Sequence, residues 1–168
     1  CFHGVGDFAN YYKAKTIKST NIHMLPSINT SFVFAGCYNL QFGLKTFNLQ
    51  NATSLVGFAS GTKKLVGNIK FNNWYTPINA TDISFMFEYS KYSPILKVHA
   101  SNQYTLPPFN PKNVTKMESV FEGTTEFNAN LQGWQIQKVT SFKNMFKNSK
   151  AFISPLWKWK NRIGGDNS

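Results

Sequence analysis

Acidic residues are scarce in this sequence, with 7 Asp plus Glu against 18 Lys plus Arg in 168 residues, a formal net charge of +11. Such an excess attracts anionic partners, namely nucleic acid, acidic or sulfated glycan, acidic protein or anionic lipid, without choosing among them. It also serves the plainer purpose of keeping an apolar chain in solution. Cysteine is nearly absent. Cys1 and Cys37 are too few and too far apart for a disulfide framework or a four-ligand zinc site. Long apolar runs are missing too, and none approaches the roughly 20 residues that a membrane-spanning helix needs. Charged residues make up only 15%, whereas hydrophobic residues reach 42% with 16 Phe, 7 Tyr and 4 Trp, which is the composition of a folded chain and not of a disordered one.

The basic residues are unevenly placed. No acid lies between Glu126 and Asp166, while Lys138, Lys143, Lys147, Lys150, Lys158, Lys160 and Arg162 accumulate there. The strongest positive field is therefore expected toward residue 160. Catalytic chemistry has little to build on. His3, His23 and His99 share no ligand spacing with each other or with the cysteines, no acid pair suggests hydrolysis, and Gly4-Val5-Gly6 and Gly164-Gly165 lack the context of a phosphate-binding loop. The sequence predicts no catalytic residue, no metal and no cofactor.

What the chain has instead is a repeat. Stretches 51–59, 80–87, 113–121 and 139–146 superpose on a threonine followed by apolar residues two, five and six places later, and Val33 with Phe34 gives a fainter copy. The last apolar positions, Phe34, Ala59, Phe87, Phe121 and Phe146, stand 25, 28, 34 and 25 residues apart. The long interval predicts an insertion near residues 97–108, where Pro107 and Pro108 indicate an extended loop that would interrupt the stacking. A second register follows at six, ten and thirteen places beyond each marker. It comprises Leu40, Leu44 and Phe47; Leu65, Ile69 and a polar Asn72; Phe127, Leu131 and Trp134; and Phe152, Leu156 and Trp159.

Within one unit, Met117, Val120 and Phe121 fall on one face of a helical turn, with Thr115 as N-cap and Glu118 completing a capping box. Each unit is thus expected to hold a short capped helical turn, a polar turn and a brief extended stretch such as 131–134. So small a unit cannot bury its apolar face alone, and stacked neighbours must share one core. The sequence therefore predicts an α/β repeat solenoid. Residues 1–27 would form an N-terminal cap or preceding segment, 28–160 about five repeats, and 161–168 a polar tail.

The run from Asn113 through Val120 and Phe121, with Phe127, Asn128, Leu131 and Trp134 and then Val139, Met145 and Phe146, resembles the BspA-like leucine-rich repeat surface proteins, whose bacterial surface-protein repeat occurs in mycoplasmal lipoproteins. The likeness is sharpest over 113–160 and weaker over 28–96. It implies a leucine-rich-repeat-like array of short parallel strands and short helical turns, displayed outside the cell and used for attachment or protein contact, with no catalytic residues to carry over. Cys1 then reads either as a lipid-anchor position at a processed N-terminus, the one route to a membrane, or as a fragment boundary.

If the positions ten and thirteen beyond each marker point inward, those at eleven and fourteen point out. The outward set is Lys45, Lys70, Gln132 and Trp157, then Asn48, Asn73, Gln135 and Lys160. With Lys158 and Arg162 this gives a candidate surface for protein or anionic glycan; nucleic acid is not the expected partner. Sequons at Asn29, Asn51, Asn79 and Asn113 are explained mostly by the repeat itself, since its threonine recurs there. Finally, residues 160–168 are too polar to cover a row holding Phe146, Phe152, Leu156 and Trp157. Self-association or a larger assembly through that end is the expectation.

Overall fold

The computed structural model describes residues 28–37, 51–63, 79–90, 110–128 and 131–159. Regular secondary structure is sparse among them. Strands β1 (Ile28–Asn29) and β2 (Ala52–Ser54) pair in parallel, and Lys116 bridges in parallel to both Asp82 and Ser141. A single 3-10 turn covers Trp157–Trp159.

The capped helical turn expected at Thr115 to Phe121 does not form. Among the described residues there is no α-helix, and the repeated segments are runs of tight turns instead. Two positions in each segment, two residues before and two after the marker, take positive φ: Phe32 and Gly36, Gly57 and Gly61, Phe85 and Tyr89, Ser119 and Gly123, Asn144 and Asn148. A left-handed residue every fourth position stops the chain from continuing as a right-handed helix.

This alternation sorts the backbone hydrogen bonds into two sets. Counted from the marker as position zero, odd positions donate within their own turn, as Cys37 does to Phe34 (3.1 Å), Ser60 to Gly57 (3.1 Å) and Ser90 to Phe87 (3.1 Å). Even positions donate to the next segment. Phe32, Phe34 and Gly36 reach the carbonyls of Val56, Phe58 and Ser60, each at 2.8 Å; Gly57, Ala59 and Gly61 reach Ser84, Met86 and Glu88 at 2.9, 2.8 and 2.7 Å. Phe85, Phe87 and Tyr89 reach Glu118, Val120 and Glu122 at 2.8, 3.0 and 2.7 Å, and Ser119, Phe121 and Gly123 reach Lys143, Met145 and Lys147 at 2.8, 3.0 and 2.8 Å. The two sets together give these inner segments hydrogen-bonded backbone without helix or wide sheet.

The stretch near 97–108 lies outside the described residues. The segments on either side of it nevertheless pair directly, so the expected interruption of stacking does not occur there. The threonine that recurs before each marker is a rung and not a helix cap. Thr115 donates through N–H (2.7 Å) and hydroxyl (3.1 Å) to the Thr81 carbonyl, and Thr140 does the same to Thr115 at 2.8 and 3.1 Å. Glu118, no longer part of a capping box, accepts the Ser141 hydroxyl at 2.7 Å.

Stacking turns the sequence period into columns. The marker rings of Phe87, Phe121 and Phe146 lie nearly parallel at 6.2 and 5.7 Å, Phe127 stacks on Phe152 at 5.5 Å, and Trp134 on Trp159 at 6.4 Å. Ala59 breaks the marker column, and its neighbour Phe58 fills the space, meeting Phe34 edge-on at 5.2 Å. Three residues past the marker, the buried hydroxyls of Thr62, Ser90 and Thr124 donate to the marker carbonyls at 2.8, 2.7 and 2.7 Å. Cys37 holds the same place in the first segment, and burial raises its thiol pKa.

Candidate binding surface

The outward positions expected past each marker are partly within the described residues. Leu131, Trp134 and Trp159 are buried, Leu156 is half-buried, and between them Gln132 is half-buried while Gln135 and Trp157 are exposed. Burial thus separates Leu131, Trp134 and Trp159 from Gln135 and Trp157 but does not separate Leu156 from Gln132, which are alike half-buried. The expected strand is absent, since 131–134 is a turn. Gln135 is held by its N–H on Asn110 Oδ1 (3.0 Å), and Asn128 Oδ1 likewise accepts the N–H of Ile153 (3.2 Å) and the hydroxyl of Ser154 (2.8 Å), so asparagines of one unit tie down the next. Trp157 is 65% exposed with Lys158 Nζ 5.2 Å from its ring centroid. Lys45, Lys70, Lys160, Arg162 and Cys1 lie outside the described residues, as do all three histidines.

The columns also order charge. Three residues before the marker stand Ser31, Val56, Ser84, Glu118 and Lys143; one residue after it stand Ala35, Ser60, Glu88, Glu122 and Lys147. Both columns pass from neutral to acid to base. Glu122, only 5% exposed, accepts the Ser119 hydroxyl (2.7 Å) and pairs with Lys147 at 3.3 Å. Glu88 accepts the Ser60 hydroxyl at 3.3 Å. Burial raises the Glu88 carboxyl pKa and the Glu122 charge adds to the rise, while Ser60 and Lys63 oppose it. Lys138 reaches Asn113 Oδ1 at 3.0 Å, whereas Lys143 and Lys150 are exposed. Among the described residues no group of three His, Cys, Asp or Glu could hold a metal ion, and no helix is long and apolar enough to cross a membrane.

The model of the family described as "Mycoplasma protein of unknown function, DUF285" matches this chain twice, over residues 6–95 and 92–164. The chain belongs to that family. The two matches overlap at residues 92–95 and together take in all five DUF285 segments described above. No curated protein and no solved structure matches the chain.

Reading the sequence for apolar period missed two features of this DUF285 chain. One is the left-handed pair in each segment, signalled by Gly36, Gly57, Gly61, Gly123, Asn144 and Asn148 at two fixed positions. The other is the aromatic cover over two of those glycines. A Cβ added at Gly57 would run into the Phe32 ring, and one at Gly123 into Tyr89. Both rings remain 43% exposed, and Lys63 lies 5.0 Å from the Tyr89 centroid.

Proposed function

We propose that this DUF285 chain is a non-catalytic binding module of the mycoplasmal cell surface, a short solenoid that recognises protein or anionic glycan through its basic end. The observation that carries the reading is the exposed Trp157 with Lys158 against its ring, in a stretch of chain whose Lys143 and Lys150 are also exposed. An aromatic face next to cations offers stacking and charge together, and the turn ladder beneath holds them in place. The resemblance to BspA-like leucine-rich repeat proteins supports an extracellular site of action. It is the ordering of segments by ladder bonds that favours the solenoid, since each unit buries its apolar face only against its neighbours. A second reading, a structural subunit of a larger surface assembly, draws on the half-buried Phe146, Phe152 and Leu156, whose counterparts Phe121, Phe127 and Leu131 are buried.

Replacing Lys143, Lys150 and Lys158 with Gln is expected to lower the salt concentration at which the protein leaves a heparin column, because three screened charge contacts are lost. Trp157→Ala should weaken binding without changing that salt dependence. Unchanged retention in both variants would remove the basic end as the binding surface.

A further inference from the structure

Among the described residues, the segment at 141–149 has one side of its ladder without a partner. Its carbonyls at Ser141, Lys143, Met145 and Lys147 accept from Met117, Ser119, Phe121 and Gly123. Its own even-position amides, Phe142, Asn144, Phe146 and Asn148, are the equivalents of those donors. Among the described residues they have no acceptor. The same side is open in its side chains. Phe146 stacks on Phe121 at 5.7 Å and on Phe152 at 4.1 Å and is still only half-buried, and Lys143 and Lys147 top the two columns in which Glu118 and Glu122 precede them.

Three properties of an occupant follow. It must offer backbone carbonyls at alternate positions, as each inner segment does to the one before it. It must carry acids where its side chains meet Lys143 and Lys147. It must place an apolar residue, best an aromatic one, immediately before the second acid to cover Phe146. A second copy of this chain does not meet the requirement through its first segment, which has Ser31 and Ala35 at the two charge positions and Phe34 already buried. Symmetric pairing of two 141–149 edges fails as well, because each presents only donors.

We propose that this edge docks an acidic peptide segment of a partner protein, of the form acid-x-x-aromatic-acid, added to the ladder as one more rung. The inference rests on the binding-module reading and names its partner. Backbone pairing to an open edge supplies affinity while the side-chain positions supply selection, as in other cases of strand addition. The pattern is present within the chain itself as Glu118-Ser119-Val120-Phe121-Glu122, which is how segment 113–124 seats on the Ile83, Phe85, Phe87 and Tyr89 amides.

A fluorescent synthetic peptide of residues 113–124 is therefore a usable probe for anisotropy titration against the full chain. A register-shifted peptide, with Glu118 and Ser119 exchanged and Glu122 and Gly123 exchanged, keeps composition and charge. It should bind at least tenfold more weakly. Lys143→Glu should weaken the original peptide similarly and recover affinity for a peptide carrying Glu118→Lys. Because Lys143 is exposed, that variant is expected to fold, and a thermal melt checks it. Equal binding of the two registers would overturn the proposal and leave general attraction to anions, with the heparin result unaffected. Displacement of the peptide by an unlabelled second copy, at the concentration where the protein self-associates, would overturn it in favour of self-assembly.

Discussion

Phe121 and Phe146 hold the same place in the repeat and do not contribute equally. Phe121 is fully buried, with the rings of Phe87, Phe146 and Phe127 all stacked against it, whereas Phe146 stacks on Phe121 and, at 4.1 Å, on Phe152 and is only half-buried. Phe121→Ala should cost about 3–5 kcal/mol, and Phe146→Ala less, since its ring is incompletely buried and gives up less apolar contact. Denaturant unfolding of the two variants checks this, and equal losses would show that the outer face is covered after all. Gly123→Ala tests the turn itself. With φ at +66° and Tyr89 lying over it, an added methyl meets both a left-handed penalty of about 1–2 kcal/mol and a ring that must move. A variant as stable as the parent would mean that the Tyr89 ring is not fixed there. At this scale the apolar period was legible because burial leaves a mark on residue type. The turn conformation was less so, because Phe32, Phe85 and Tyr89 occupy left-handed positions that Gly and Asn hold elsewhere, and Thr115 before Glu118 fits a capping box equally well. Local capping chemistry and ladder chemistry use the same residues, and only the neighbouring segment distinguishes them.

At the scale of one segment against the next, the charge columns carry a pH dependence. Glu88 has its carboxyl pKa raised first by burial and then by the Glu122 charge. A carboxyl whose folded pKa lies above its unfolded value contributes most below the unfolded value, near 4.3, and that contribution is lost as pH rises through the folded value. Glu88→Gln removes this loss, so the variant should melt higher than the parent at pH 7, with the advantage gone by about pH 4. Gln still offers an oxygen to the Ser60 hydroxyl, which keeps the comparison clean. A variant that melts lower at pH 7 would show that the Ser60 and Lys63 contacts outweigh burial. None of this was legible without coordinates. Ser60, Glu88, Glu122 and Lys147 are scattered by 28, 34 and 25 residues, and their adjacency follows only once the insertion is seen to leave the ladder continuous.

Across the marker turns, order is carried by amides that donate to the following segment, with Thr115 and Thr140 donating back to the preceding one, and this makes protection a function of position. An even-position amide is protected when the next segment supplies its carbonyl, and opening it requires separating two stacked segments with their ring columns. Ser119, Phe121 and Gly123 have such partners at 2.8, 3.0 and 2.8 Å, and Phe85, Phe87 and Tyr89 likewise at 2.8, 3.0 and 2.7 Å. Asn144, Phe146 and Asn148 have none among the described residues. Hydrogen exchange should therefore alternate along 141–149. Met145, Lys147 and Ser149, bonded within their turns to Phe142, Asn144 and Phe146 at 3.0 Å each, should exchange more slowly than the even residues between them. In 117–123 the even set and Glu122, bonded to Ser119 at 3.2 Å, should both be slow. Binding of the acidic peptide would then slow the even amides of 141–149 and leave the odd ones nearly unchanged, a pattern that attraction to a surface charge does not produce. Uniform slow exchange in the free protein would mean that the edge is already occupied, and uniform fast exchange that the last segment opens as a unit before any partner arrives.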